Sequence, residues 1–143
     1  MKFENHMVLE FPSKSVNEAF ARSAVATFAA QMDPNMEELG DIRTAVSEAV
    51  TNAIVHAYPN QIGMIKVKCR ILKDNTIDII VKDQGIGIPD LGKARQPMFT
   101  TGGAERSGMG FTIMESFMTS LSVKSAEGKG TTVHMRRKLH RKL

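Results

Sequence analysis

The chain has 143 residues, 42% of them hydrophobic and 24% charged, with a formal net charge of +4. This is the balance of an ordinary soluble globular protein, and at this length one domain can bury a sufficient core without disulfides or metals. A single cysteine, Cys69, excludes an internal disulfide.

The charge is unevenly spread. The last eight residues, 136–143, hold five of the 19 Lys and Arg and no acid, so the remainder carries 14 bases against 15 acids, a formal −1. On this count the basicity belongs to a solvated tail. Nucleic-acid binding would need it on a folded face with aromatics, and the chain has no Trp and one Tyr, so no direct DNA contact is expected. There is no signal peptide and no apolar run of about 18 residues, which predicts a cytoplasmic location without a membrane partner.

Taken in order, Phe3, Met7, Leu9 and Phe11 alternate with polar residues, a half-buried strand that Pro12 ends. Ser15-Val-Asn-Glu18 has capping-box spacing and opens a helix to about Gln31, with Val16, Ala19, Phe20, Ser23, Ala24, Thr27 and Phe28 along one face. A second helix runs from Met36 to Ala57. Ile42, Val46, Ala49, Val50, Ala53 and Ile54 form its apolar face, with Thr44, Glu48, Thr51 and Asn52 opposite. Ile65, Val67, Cys69 and Ile71 make a strand, which places the Cys69 thiol in the core. After a turn at Lys73-Asp-Asn75, Ile77, Ile79 and Val81 make its hairpin partner.

Between Ile88 and Ser107 the periodicity fades under Pro89, Gly92, Pro97, Gly102 and Gly103. A stretch of this length without regular structure suggests a movable lid, or else a plain surface loop. A helix follows from Gly108 with Phe111, Met114, Phe117 and Met118 on one face. Leu121–Ser125 and Thr131–Met135 then form a last hairpin across Glu127-Gly-Lys-Gly130. The order β, α, α, β, β, lid, α, β, β predicts an α+β, two-layer sandwich, with helices on one face of a mainly antiparallel, mixed sheet. The whole chain, 1–143, reads as one domain with its basic tail.

Three stretches could carry chemistry. Asp83-Gln-Gly-Ile-Gly-Ile88 ends a strand: Gly85 and Gly87 open the backbone beside one carboxylate, and Ile86 and Ile88 add apolar surface. Such a site suits a flat base with an exocyclic amine, though alone it is equally a strand and a Gly-rich turn. Glu48 and Asn52, four apart, project from adjacent helical turns. A carboxylate can accept a hydroxyl proton, and a carboxamide oxygen suits Mg²⁺; polar pairs at this spacing are also common on solvated helix faces. Ser107-Gly-Met-Gly110 opens a helix whose free amides attract phosphate, with Arg106 placed to contact it bidentately. His6, His56, His134 and His140 are scattered without zinc spacing, and surface or tail positions are expected for them.

In this order the stretches resemble the ATP-binding fold shared by histidine-kinase catalytic domains, type II topoisomerases, a class of heat-shock chaperone and MutL. Glu48-Ala-Val-Thr-Asn52 matches that fold's N box. Asp83-Gln-Gly-Ile-Gly87 and Gly108-Met-Gly110 match its two glycine boxes, and Gly130-Thr-Thr132 its late Gly-Thr element. Residues 44–58 and 106–115 narrow the resemblance to the sporulation anti-sigma F factors, bacterial serine kinases of the anti-sigma type. The resemblance implies a homodimer that holds a sigma factor with ATP bound and phosphorylates a serine of an anti-anti-sigma protein.

Carried over by position, the resemblance makes Glu48 the general base and Asn52 the Mg²⁺ ligand. Asp83 becomes the adenine contact, with Gly85 and Gly87 shaping the base pocket. Arg106, Ser107, Gly108, Met109 and Gly110 would sit at the phosphates under the lid, with Thr100, Thr101 and Thr131 also touching nucleotide. A nucleotide-gated binding module without kinase activity and a histidine-kinase-type catalytic domain are the alternatives.

Overall fold

The computed structural model describes residues 3–88 and 110–140. Its elements run β1 (Phe3–Pro12), α1 (Asn17–Ala30), α2 (Met36–Asn52), β2 (Met64–Leu72), β3 (Thr76–Asp83), α3 (Gly110–Phe117), β4 (Ser120–Ala126) and β5 (Gly130–Lys138). A π-helical segment, Ala53–Ala57, continues α2. The strands form one sheet in the order β1-β2-β3-β5-β4. Every neighbouring pair is antiparallel, so the α+β sandwich is as expected, except that the sheet is not mixed. Because β5 lies between β3 and β4, the chain leaves β3, forms α3 and β4, and returns to close the sheet.

Alternation sets the two layers. Ile65, Val67, Cys69 and Ile71 of β2 and Ile77, Ile79 and Val81 of β3 are buried with Ile42, Ala45, Val46, Ala49 and Val50 of α2. Each such Val or Ile contributes about 1.5–3 kcal/mol through burial. Cys69 is buried as expected, and burial, with the Asp78 charge nearby, pushes its thiol up to about 12. No helix among the described residues is long and apolar enough to cross a membrane.

The helices correct two expectations. α1 buries Ala21, Val25 and Ala29, while Val16 is 75% and Phe20 55% exposed. The expected face is therefore the outer one, apart from Phe28, which is half-buried against the core. α1 carries apolar residues nearly all round, so periodicity could not choose; the small side chains at i, i+4 and i+8 let it lie close to α2. Nor does Ser15 cap α1: Val16 holds the N-cap position, without a side-chain bond. The capping box lies instead on α2, where Asn35 Oδ1 accepts from the Glu38 amide (2.8 Å) and Glu38 Oε1 from the Asn35 amide (2.9 Å).

The sheet and the chain's end add contacts that the sequence pattern does not mark, and correct the expectation of a wholly solvated tail. Asp78, on the face of the sheet away from the helices, is fully buried. Its Oδ2 accepts from both Nε (2.7 Å) and Nη2 of Arg70, and its Oδ1 bonds to His134 Nε2 and Arg136 Nε (3.0 Å). Burial works against this charge, yet the bonds from His134 and Arg70 prevail and hold the carboxyl below its usual range. Two of the expected surface histidines are thus bound: His134 here, and His140, whose amide and Nδ1 both lie 2.6 Å from carboxylate oxygens of Glu38. The basic tail is partly built in, since β5 runs to Lys138, Arg137 pairs with Asp41 (2.8 Å) and Leu139 is buried. These contacts tie the end of β5 to the first turns of α2.

Candidate active site

Asp83 closes β3 and is buried. Its Oδ1 accepts from the amides of Gly85 (2.9 Å) and Thr131 (3.2 Å). Burial pushes its carboxyl above the usual range despite those two bonds. Among the described residues both hydrogen bonds to the carboxylate go to Oδ1 and no cation supports it. A buried carboxylate held at one oxygen by fixed amides is an oriented acceptor, suited to a neutral donor such as an exocyclic amine.

The turn after Asp83 is fixed from three sides. The Ile86 amide donates to the Ala57 carbonyl at the end of the π-helical segment (2.9 Å). The Gln84 amide donates to Tyr58 Oη (2.8 Å), which itself donates to the Met64 carbonyl (2.7 Å). The Ile88 amide donates to Ser125 Oγ (2.7 Å), and Ser125 shares a hydroxyl bond with Thr131 (2.8 Å). Gly85 permits the first of these approaches: a Cβ there would stand 2.0 Å from the Ala57 carbonyl oxygen. Gly87, at φ +77°, has the left-handed backbone that disfavours other residues.

Asn52 ends α2 where α3 crosses it. A Cβ on Gly110 would stand 2.7 Å from Asn52 Nδ2 and 3.2 Å from Oδ1, so a glycine is what lets α3 touch that carboxamide. Glu48, one turn earlier and half-buried, lines a cleft of about 440 Å³ between α1 and α2 with Arg22, Leu39, Arg43 and Ser47. No group of three His, Cys, Asp or Glu among the described residues could hold a metal by itself. A cation at Asn52 would therefore complete its shell with oxygens of the ligand or water, the habit of Mg²⁺ beside phosphates.

The structure thus brings Asp83, Gly85, Gly87 and Thr131 together through shared hydrogen bonds and one turn, and sets Asn52 against Gly110. Glu48 lines the α1–α2 cleft, whose described lining includes none of these residues. Thr100, Thr101, Arg106, Ser107, Gly108 and Met109, with the lid segment beyond Ile88, lie outside the described residues. Sequence reading missed Tyr58 and Ser125, which brace the turn from elements 26 and 37 residues away. Tyr58 is the chain's one tyrosine and directly follows the Asn52 helix, the single signal that could have marked it.

The Histidine kinase-like ATPase domain family matches residues 11–137. An anti-sigma F factor of Caldanaerobacter subterraneus is 59% identical over 136 residues, 94% of each chain. Those of Geobacillus kaustophilus and Clostridium acetobutylicum are 54% identical over 137 residues and 51% over 136, again covering more than nine-tenths of both chains. Among solved structures, the RsbU and RsbW domains of a Mycobacterium tuberculosis protein share the fold at TM-score 0.70 and 18% identity, over 95% of this chain and 32% of that one. The histidine kinase domain of a blue-light-activated kinase from Erythrobacter litoralis matches at TM-score 0.60 and 21% identity, over 85% of this chain and 60% of that one. On that sequence likeness, the chain belongs to the Histidine kinase-like ATPase domain family, on its anti-sigma F factor branch.

Proposed function

We propose that this protein binds a sigma factor in its ATP-bound state and phosphorylates a serine of an anti-anti-sigma protein, acting as a cytoplasmic homodimer. The observation that carries the nucleotide part is the Asp83 turn. A buried carboxylate with no cation beside it among the described residues, held at Oδ1 by the Gly85 and Thr131 amides, is an oriented acceptor for the adenine amine. The Asn52 carboxamide, packed on Gly110 at the start of α3, is the group that would hold Mg²⁺. Bound there, Mg²⁺ with ATP supplies the γ-phosphoryl group and neutralises charge on its oxygens. Arg106 and the amides of Ser107, Gly108, Met109 and Gly110 complete the phosphate contacts in this reading, with Thr100 and Thr101 from the lid segment. Glu48, in the wall of the α1–α2 cleft, receives the serine hydroxyl proton of the partner, whose segment enters by that cleft. The exposed Val16 and Phe20 of α1 give a second copy or the sigma factor an apolar surface to cover.

The test separates binding from chemistry. General-base assistance is worth ~10²–10⁴-fold. Glu48→Gln should therefore keep ATP affinity and lose serine transfer by about that factor, whereas Asn52→Ala should lose both. Equal nucleotide binding and equal transfer in parent and both variants, measured with labelled ATP and the serine partner, would remove the assignment. Native mass measurement with and without ATP reads the dimer and the bound nucleotide together.

A further inference from the structure

We infer that the sheet face turned away from the helices is a docking surface for an acidic protein segment. The registers place three rows of outward residues across the five strands. The first is His6, Arg70, Asp78, Arg136 and Ser120; the second Val8, Lys68, Ile80, His134 and Ser122; the third Glu10, Lys66, Lys82, Thr132 and Lys124. Six of these are Lys or Arg and two are acids, a formal +4 and as large as the net charge of the whole chain. The basicity is therefore concentrated on a folded face about 19 Å across, as well as on the tail. No described element covers this face.

The arrangement favours an anion over water. Lys66 and Lys82 stand directly opposite each other in the β2–β3 ladder, and like charges so placed repel. Glu10 offsets Lys66 across a 3.4 Å pair, and nothing comparable in the row balances Lys82 and Lys124. In the first row the single carboxylate of Asp78 serves two guanidiniums and His134, so it fixes Arg70 and Arg136 in place without cancelling them. Guanidiniums already held on a surface lose little further freedom when they bind a carboxylate. Val8, 48% exposed, and the half-buried Ile80 give the centre an apolar patch within the charges.

The chemistry of the occupant follows. A second copy would bring the same sign of charge and is repelled. Single-stranded nucleic acid needs aromatic stacking platforms, and none of the fifteen row positions is Phe, Tyr or Trp. Anionic membrane needs long apolar side chains to enter the interface, whereas Val8 and Ile80 are short and set flat on a sheet. An acidic protein segment matches both the charge and the small apolar centre.

Fluorescence anisotropy with a labelled peptide of alternating Glu and Val, read against duplex DNA and phosphatidylserine vesicles, tests this. Saturating Mg-ATP keeps the nucleotide site out of the measurement. The peptide should bind the full chain, weaken steeply as salt rises, and bind at least tenfold more weakly to Lys66→Glu/Lys82→Glu. An equal charge change off the face, Lys14→Glu/Lys73→Glu, should leave most of the affinity. Thermal unfolding and ATP binding of both double variants confirm that each is folded. No binding by the parent, equal loss in both double variants, or a face-dependent preference for DNA or vesicles would overturn the inference.

Discussion

Strand β3 carries two buried aspartates five residues apart, and they have opposite environments. Asp78 faces away from the helices, bonded to Arg70, Arg136 and His134, and its carboxyl is held below the usual range. Asp83 lies at the strand's end, bonded among the described residues to backbone amides only, and burial pushes its carboxyl up. Burial of an acid therefore does not by itself identify a binding site. The partners do: an acid surrounded by cations has its interaction made within the fold, whereas an acid left with neutral donors has capacity to give to a ligand.

The largest way to break the comparison is Asp78→Ala. It leaves two arginines and His134 converging on a site without its carboxylate, and loss of one partner from a buried charge network costs about 3 kcal/mol. Urea unfolding should show that loss, while nucleotide affinity in the folded fraction stays near the parent's. If stability hardly moves, the network adds nothing to the fold. Gly85→Ala comes next. Its methyl would stand 2.0 Å from the Ala57 carbonyl oxygen, and forcing them apart should cost about 2 kcal/mol and pull the turn away from Asp83. Here stability and nucleotide binding should fall together, unlike in Asp78→Ala.

Asp83→Asn makes the converse case. The carboxamide can still accept from the Gly85 and Thr131 amides, so stability should change by less than about 1 kcal/mol. ATP affinity should fall about tenfold, equivalent to 1.4 kcal/mol, and the preference for ATP over GTP should shrink. An unchanged preference would put the base pocket elsewhere.

What could be read from sequence divides along the same line. The alternation of Ile65, Val67, Cys69 and Ile71, and the apolar stripe of α2 from Ile42 to Ala53, placed the core because one period dominated each segment. Asp83 with Gly85 and Gly87 was legible because the turn's needs are local: one carboxylate, two open backbones. Asp78 was not. Its outward phase marks a wet side chain, and its burial comes from Arg70, His134 and Arg136 on strands paired only after folding. The Glu38–His140 contact spans 102 residues and was hidden for the same reason. The buried side of α1 was missed for a different one, since a helix of mixed Ala, Val and Phe offers more than one acceptable apolar face.

The smallest effect sharpens the comparison most, because the two aspartates should answer pH with opposite signs. Ordinary Asp titrates near ~3.9 in the unfolded chain. The folded-state value of Asp78 is depressed, so its stabilisation is complete above that point and is lost as pH falls through the lower, folded value. The folded-state value of Asp83 is raised, so the native chain binds that proton more tightly and stability rises as pH falls from above the folded value towards ~3.9. Urea unfolding across acidic pH should then separate the variants by window. Relative to the parent, Asp83→Asn should lack the gain on the neutral side of ~3.9, and Asp78→Asn should have a flatter loss on the acid side. Glu38, also depressed against its burial by the bonds from Asn35 and His140, loses stability in the same direction as Asp78 and is common to all three proteins, so it leaves the differences intact. Curves that ran parallel through both windows would mean that the two carboxylates titrate alike, and the contrast drawn between the ends of β3 would have no energetic content.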